Sequence, residues 1–156
     1  EDFDLFVIET NGVVLSQEEG IVTELEKHAS RKNRDTVGHV RLSIRGGLPE
    51  YFEEKTGCSG EFIDLPFITA ERLWDAGVSF HVAVVVDERF TPKEEKHAIY
   101  DRLHSIHPSV KNSVEEEFLD PYPHALVRLR AVGRDDVAGK EISRKEQIVL
   151  SKRPPL

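Results

Sequence analysis

Residues Val82 to Val86 form an unbroken apolar stretch in which four of five side chains are valine, within a longer strand-like run from Val78 to Val86. Such a run has no wet face, so it requires cover on both sides, as a central strand of a parallel sheet has. Parallel neighbours in turn require long crossovers, usually helical. The whole chain must therefore alternate strands with helices.

The flanking sequence supplies them. Leu5 to Ile8 is a short apolar run closed by Asn11-Gly12, expected as a buried strand covered on both faces. Ser16 with Glu19 reads as a capping box, opening a helix with Ile21, Val22, Leu25, His28 and Ala29 at helical spacing and ending near Ser30. From His39 to Arg45, Val40, Leu42 and Ile44 alternate with Arg41 and Ser43, a strand that stops at Gly46-Gly47. A short helix is expected over 49–56 and a loop over 57–60. A helix over 66–76 carries Phe67, Ala70, Leu73 and Trp74 on one side, with Gly77 at its C-cap. Beyond the valine run, Thr91-Pro92 with Glu94 starts a helix whose core side is Ile99, Leu103 and Ile106, ending before Pro108. A weaker strand over 113–119 precedes Asp120-Pro121, and a helix from Tyr122 or Pro123 to Ala131 stops near Gly133.

The fold class is α/β, with four βα units whose spacing suits right-handed parallel crossovers. A small doubly wound domain and an arc of a (βα) barrel both fit this pattern. Residues 1–133 form the expected domain, and 134–156 a charged extension in which only Gln147 to Leu150 reads as an extra edge strand.

Composition narrows the function classes. No apolar run approaches the roughly 20 residues of a bilayer span, so a membrane-spanning role is excluded and a cytoplasmic location is the expectation. The net charge of −8 argues against broad binding to phosphate backbones. The single cysteine, Cys58, excludes an internal disulfide and any four-thiolate site built from this chain alone. The chain begins at Glu1 and contains no methionine, from which removal of an N-terminal portion is expected.

In parallel α/β sheets ligands bind at the carboxyl ends of the strands. Those ends are Glu9-Thr10-Asn11-Gly12, Ser43-Ile44-Arg45-Gly46-Gly47, Asp87-Glu88-Arg89, and Glu115 to His124. A carboxylate, hydroxyl, amide, guanidinium and imidazole would thus share one rim. Each also has a plainer role: Thr and Asn before Gly make turns, Arg45 fits a solvated position, and Glu115 to Glu117 fits an exposed face.

The ordered motifs carry a family resemblance. Phe6-Val7-Ile8-Glu9-Thr10-Asn11-Gly12 resembles the (D/E)TNG strand end of radical S-adenosylmethionine enzymes of the pyruvate formate-lyase-activating type. Val40-Arg41-Leu42-Ser43-Ile44-Arg45-Gly46 is similar to their VxxSxKG strand. Phe52, Thr56-Gly57, Leu73, Gly77-Val78 and the valine-rich strand follow in the family's order, and Asp120-Pro121-Tyr122-Pro123-His124 resembles a variant of its PYH segment. The resemblance spans roughly residues 3 to 133 and rests on order and spacing.

It implies the C-terminal part of a partial six-unit βα barrel, in which a reduced 4Fe-4S cluster cleaves S-adenosylmethionine to a 5′-deoxyadenosyl radical. The family's Cys-x-x-x-Cys-x-x-Cys loop and GGE segment are not in this chain, so the cluster ligands would lie in a missing N-terminal part of the same protein. Carried over by position, Glu9, Thr10 and Asn11 would reach the amino-acid part of the cofactor, and Ser43 would lie beside its ribose or carboxylate. Arg45 stands where relatives have lysine and would pair with a carboxylate in bidentate fashion. His124 corresponds to the family histidine with Pro123 inserted before it. Val84 and Val86 match positions that pack on adenine, although plain core packing explains them as well.

The other histidines are less suggestive. His104 and His107 have metal-pair spacing without a third ligand, and His28, His39, His81 and His97 belong to no constellation. Three readings follow. The first is a radical S-adenosylmethionine enzyme fragment, inactive alone, whose parent acts on a protein, RNA or small molecule and whose exposed sheet edge self-associates. The second is a complete small α/β domain binding a nucleotide or partner without catalysis. The third is a self-sufficient enzyme with Glu9, Asp87 and His124 in acid–base roles.

Overall fold

The computed structural model describes residues 5–33, 35, 37–119 and 122–134. Strand β1 (Phe6–Thr10), helix α1 (Glu19–His28), β2 (Gly38–Ile44), α2 (Pro49–Thr56), a 3₁₀ turn (Gly60–Phe62), α3 (Asp64–Ala76), β3 (Phe80–Val85), α4 (Lys93–Ile106), α5 (Pro108–Asn112), β4 (Val114–Glu117) and α6 (Pro123–Ala131) follow in chain order. Two compact units result, Glu1–Glu117 and Phe118–Leu156. The unit holding the sheet thus ends ahead of the expected boundary at 133, and α6 belongs to the second. The expected strand Gln147 to Leu150, and Asp120-Pro121, lie outside the described residues. Among the described residues no helix is long and apolar enough to cross a membrane.

The sheet order is β1-β2-β3-β4, every pair parallel. Spatial order follows chain order, so these four strands contain no reversal of the kind that marks the switch point of a doubly wound sheet. Right-handed crossovers that always step in one direction lay their helices on a single face. The core is built accordingly. Val40, Leu42 and Ile44 of β2 and Phe80, Val82 and Val84 of β3 pack with Val22 and Leu25 of α1, Phe67, Ala70 and Leu73 of α3, and Ile99 and Leu103 of α4. The intervening positions, His39, Arg41 and Ser43 beside His81, Ala83 and Val85, carry the opposite face, open around the half-buried His39, Arg41 and His81 and closed at the buried Ser43 and Ala83.

Several local expectations hold and several yield to competing geometry. Gly77 ends α3 in the left-handed conformation at φ 75°, as a C-cap glycine should. Among the described residues the expected cover on both faces of the first strand is not found: β1 is at the edge of the four-stranded sheet, with Leu5 61%, Val7 52% and Ile8 37% exposed. Neither capping box forms. Ser16 Oγ donates to the Val13 carbonyl at 2.6 Å inside a tight turn, and α1 starts later, after Glu18 with no side-chain cap. Thr91 Oγ1 donates to the Val85 carbonyl at 2.7 Å, tying the loop back to β3, so Pro92 occupies the N-cap of α4. Pro108 ends one helix and also opens the next, α5, where His107 Nδ1 accepts the Ser109 amide at 3.1 Å.

Candidate functional site

The two strand ends singled out by sequence lie side by side. In the parallel register Glu9 faces Arg41 and Thr10 faces Leu42. Alternation therefore places Glu9 on the open face, and Thr10 at the level of the helix-covered one. Thr10 Oγ1 accepts the Gly12 amide at 3.1 Å, and Asn11 Oδ1 accepts the Val13 amide at 3.2 Å. Both side chains shape the turn. Gly12 sits at φ 81°, and a Cβ there would lie 2.8 Å from Leu42 Cδ1, so glycine is required by conformation and by space together.

Ser43 is buried on the open face, where its Oγ lies 3.4 Å from the Arg45 guanidinium; Arg45 itself is exposed. Glu9, Ser43 and Arg45 thus share one side of the sheet. His124 lies in α6 of the second unit, exposed and stacked on Tyr122 at 5.8 Å. Val84 and Val86 are core residues. Asp87 is bound to the Arg89 side chain. His107 stacks on Trp74 with ring centroids 4.1 Å apart.

The centre of the open face is a network that inspection of single motifs did not assemble. Arg41, with 17% of its side chain exposed, donates to Glu9 at 2.7 Å, to Glu115 at 2.9 Å and to Glu117. The bond to Glu115 foremost, and then that to Glu117, hold the guanidinium well above its ordinary range against the opposing effect of burial, and the Arg41 bond draws the Glu115 carboxyl below its own. His81 Nε2 lies 2.8 Å from Glu115 Oε2. His81 Nδ1 lies 2.6 Å from His39 Nε2, and His39 Nδ1 lies 2.8 Å from Ser79 Oγ. Burial, and after it the charge on His81, pushes His39 below the ordinary imidazole range. Among the described residues, three carboxylates against the Arg41 and Arg45 guanidiniums leave the face net negative by one charge when both imidazoles are neutral. A usable signal was present in the sequence: His39, Arg41 and Ser43 alternate with the core residues Val40, Leu42 and Ile44.

A second polar centre braces the loops at the carboxyl ends of β2 and β3. Glu95, fully buried in the first turn of α4, accepts the amides of Gly47 at 2.9 Å and Leu48 at 3.0 Å. Lys55 Nζ reaches it at 3.4 Å and donates to Thr91 Oγ1 at 3.1 Å. Burial lowers the Lys55 ammonium below its usual range, while Glu95 opposes that shift. The Gly46-Gly47 pair permits the close approach: a Cβ on Gly47 would lie 2.6 Å from the Ile99 backbone nitrogen.

Among the described residues no group of three or more His, Cys, Asp or Glu is placed to hold a metal ion, and Cys58 is free and exposed. With one cysteine in the whole chain, an iron–sulfur cluster finds no thiolate set here. A cationic amino-acid group does find complementary chemistry on the open face, in the carboxylates around Arg41 and the buried Ser43 hydroxyl. No protein-family model matches the chain, and no significant similarity to a curated protein or to a solved structure was found.

Proposed function

We propose that this chain forms the cofactor-facing sheet of a radical S-adenosylmethionine enzyme, an arc of its partial βα barrel, and that the cluster-binding cysteines are supplied by a preceding part of the same protein. The observation that carries this reading is the placement of Glu9, Ser43 and Arg45, from the two motif strands, on the face opposite the one that packs against α1, α3 and α4, in a parallel sheet wound in one direction. Such a face is the inner wall of a barrel when further strands close it. The sulfonium and ammonium of S-adenosylmethionine suit a face with excess carboxylate, and Arg45 suits the cofactor's carboxylate. When bound, the cofactor and a reduced cluster would supply a carbon-centred radical. This chain's own residues would orient the cofactor's amino-acid part, and alone they form half of a site. Thr10 and Asn11 serve that role indirectly, by fixing the turn that follows Glu9.

The reading predicts that the reading frame upstream of the Glu1 codon encodes a Cys-x-x-x-Cys-x-x-Cys loop, within about two βα units or roughly 60 or more residues. Sequencing the transcript decides it; an initiator methionine next to Glu1 contradicts the proposal.

The reading also implies that β1 pairs with a further strand. Its outer backbone groups have no ladder partner among the described residues, and Leu5 and Val7 are exposed beside them. In the isolated chain a second copy would take this place. Sedimentation at rising concentration should show a dimer that weakens in Val7→Lys; a monodisperse monomer at high concentration contradicts this.

A further inference from the structure

We propose that His39 and His81 act as one unit that accepts a single proton and relays it across the open face, from Ser79 just before β3 to the side of Glu115, which Arg41 also binds. The hydrogen-bond chain has one self-consistent arrangement when both rings are neutral. The carboxylate of Glu115 can only accept, so His81 carries its proton on Nε2 and offers Nδ1 as an acceptor. His39 must then donate from Nε2 across the 2.6 Å contact, and its Nδ1 accepts from the Ser79 hydroxyl 2.8 Å away. Every ring nitrogen is used once, and all donors point toward Glu115, whose Oε2 also accepts from Arg41 Nε at 2.9 Å.

One added proton reverses the middle of the chain without disrupting it. A proton from solvent arrives on His39 Nδ1, which then donates to Ser79. The His39 Nε2 proton crosses to His81 Nδ1, and His81 becomes an imidazolium donating to both Glu115 and His39. Charge that enters at one end therefore appears beside Glu115 at the other. A second proton has no such place. It would put hydrogens on both nitrogens of the 2.6 Å contact and stack two imidazolium rings whose centroids are 4.9 Å apart. The charged groups facing the pair are Glu9 from β1, Arg41 from β2, and Glu115 and Glu117 from β4. With the pair neutral, this set carries two net negative charges; the one admissible proton halves that. The open face thus changes its attraction for cations by a fixed step when the pair takes up its proton.

The intact chain, labelled with ¹⁵N at its histidines, tests this by titration from pH 8.5 to 4.5, with the exposed His97 and His104 as reference rings. The expected result is that His39 and His81 report one shared step, the signature of coupled sites, with any second protonation displaced to lower pH by more than about one unit. The first step should move His39 from the Nε2–H to the Nδ1–H tautomer. In His81→Phe, His39 should lose the shared step and titrate once; in His39→Gln, His81 should do the same. Independent single titrations of both rings in the native chain overturn the proposal, and that measurement stands even if either variant fails to fold.

Discussion

Replacing Glu95 with alanine should destabilise the chain by about 3–5 kcal/mol, the usual consequence of deleting one partner of a buried, hydrogen-bonded charge pair. The carboxylate is fully buried and accepts the Gly47 and Leu48 amides, so its removal leaves two amide donors and the Lys55 ammonium without their acceptor. Against a total stability of roughly 5–15 kcal/mol for a domain, this is a large fraction. Glu95→Gln should cost less, since one acceptor oxygen survives, while its new amide donors face other donors. Denaturant unfolding monitored by circular dichroism measures both. The double variant Glu95→Ala with Lys55→Met should recover part of the loss, because the stranded ammonium disappears with its partner. A Glu95→Ala protein within 1 kcal/mol of the native chain would refute this role.

Replacing Arg41 with leucine should cost about 2 kcal/mol at neutral pH, less than a fully buried pair because Glu9 and Glu115 retain much of their exposure. Its pH dependence is the sharper test. In the native chain the Glu115 carboxyl is held below its unfolded value, chiefly by Arg41. It therefore contributes stability that is present above the unfolded pKa and lost as the pH falls through the folded one. Without Arg41, three carboxylates face one another, and protonation relieves them. The gap between variant and native chain should narrow from pH 7 toward pH 4. A gap independent of pH would mean that Arg41 acts only through packing. His39, whose folded pKa is depressed by burial, adds an earlier loss of native stability, beginning as the pH drops below about 6.5.

How much of this was legible in sequence depends on how far apart the deciding residues lie. The valine run of β3, the C-cap at Gly77 and the winding into βα units depend on neighbours within a few positions, and they were readable. The capping boxes depend equally on near neighbours but failed, because the hydroxyls of Ser16 and Thr91 found better-placed backbone carbonyls. Glu95 was missed although it stands four and eight residues before Ile99 and Leu103, a spacing that already put it on the core side of its helix. The Arg41 network required the register of four strands. His39 and His81 are 42 residues apart, and Arg41 and Glu117 are 76 apart, so no motif contains either pair. The same register explains why Glu9 and Thr10, adjacent in one motif, lie on different faces.

What the proposal asserts most directly is that the open face around Glu9, Ser43 and Arg45 takes the amino-acid part of S-adenosylmethionine. Titrating that compound into the ¹⁵N-labelled chain, with S-adenosylhomocysteine as the control lacking the sulfonium charge, tests it. Half of a site should bind weakly, with a dissociation constant on the order of 1 mM, equivalent to about 4 kcal/mol. The amide shifts of Glu9, Asn11, Ser43 and Arg45 should move together, more with the sulfonium than without it, while those of the helix-covered core stay in place. Saturable shifts confined to residues away from this face, or none up to about ten times that concentration, would contradict the account.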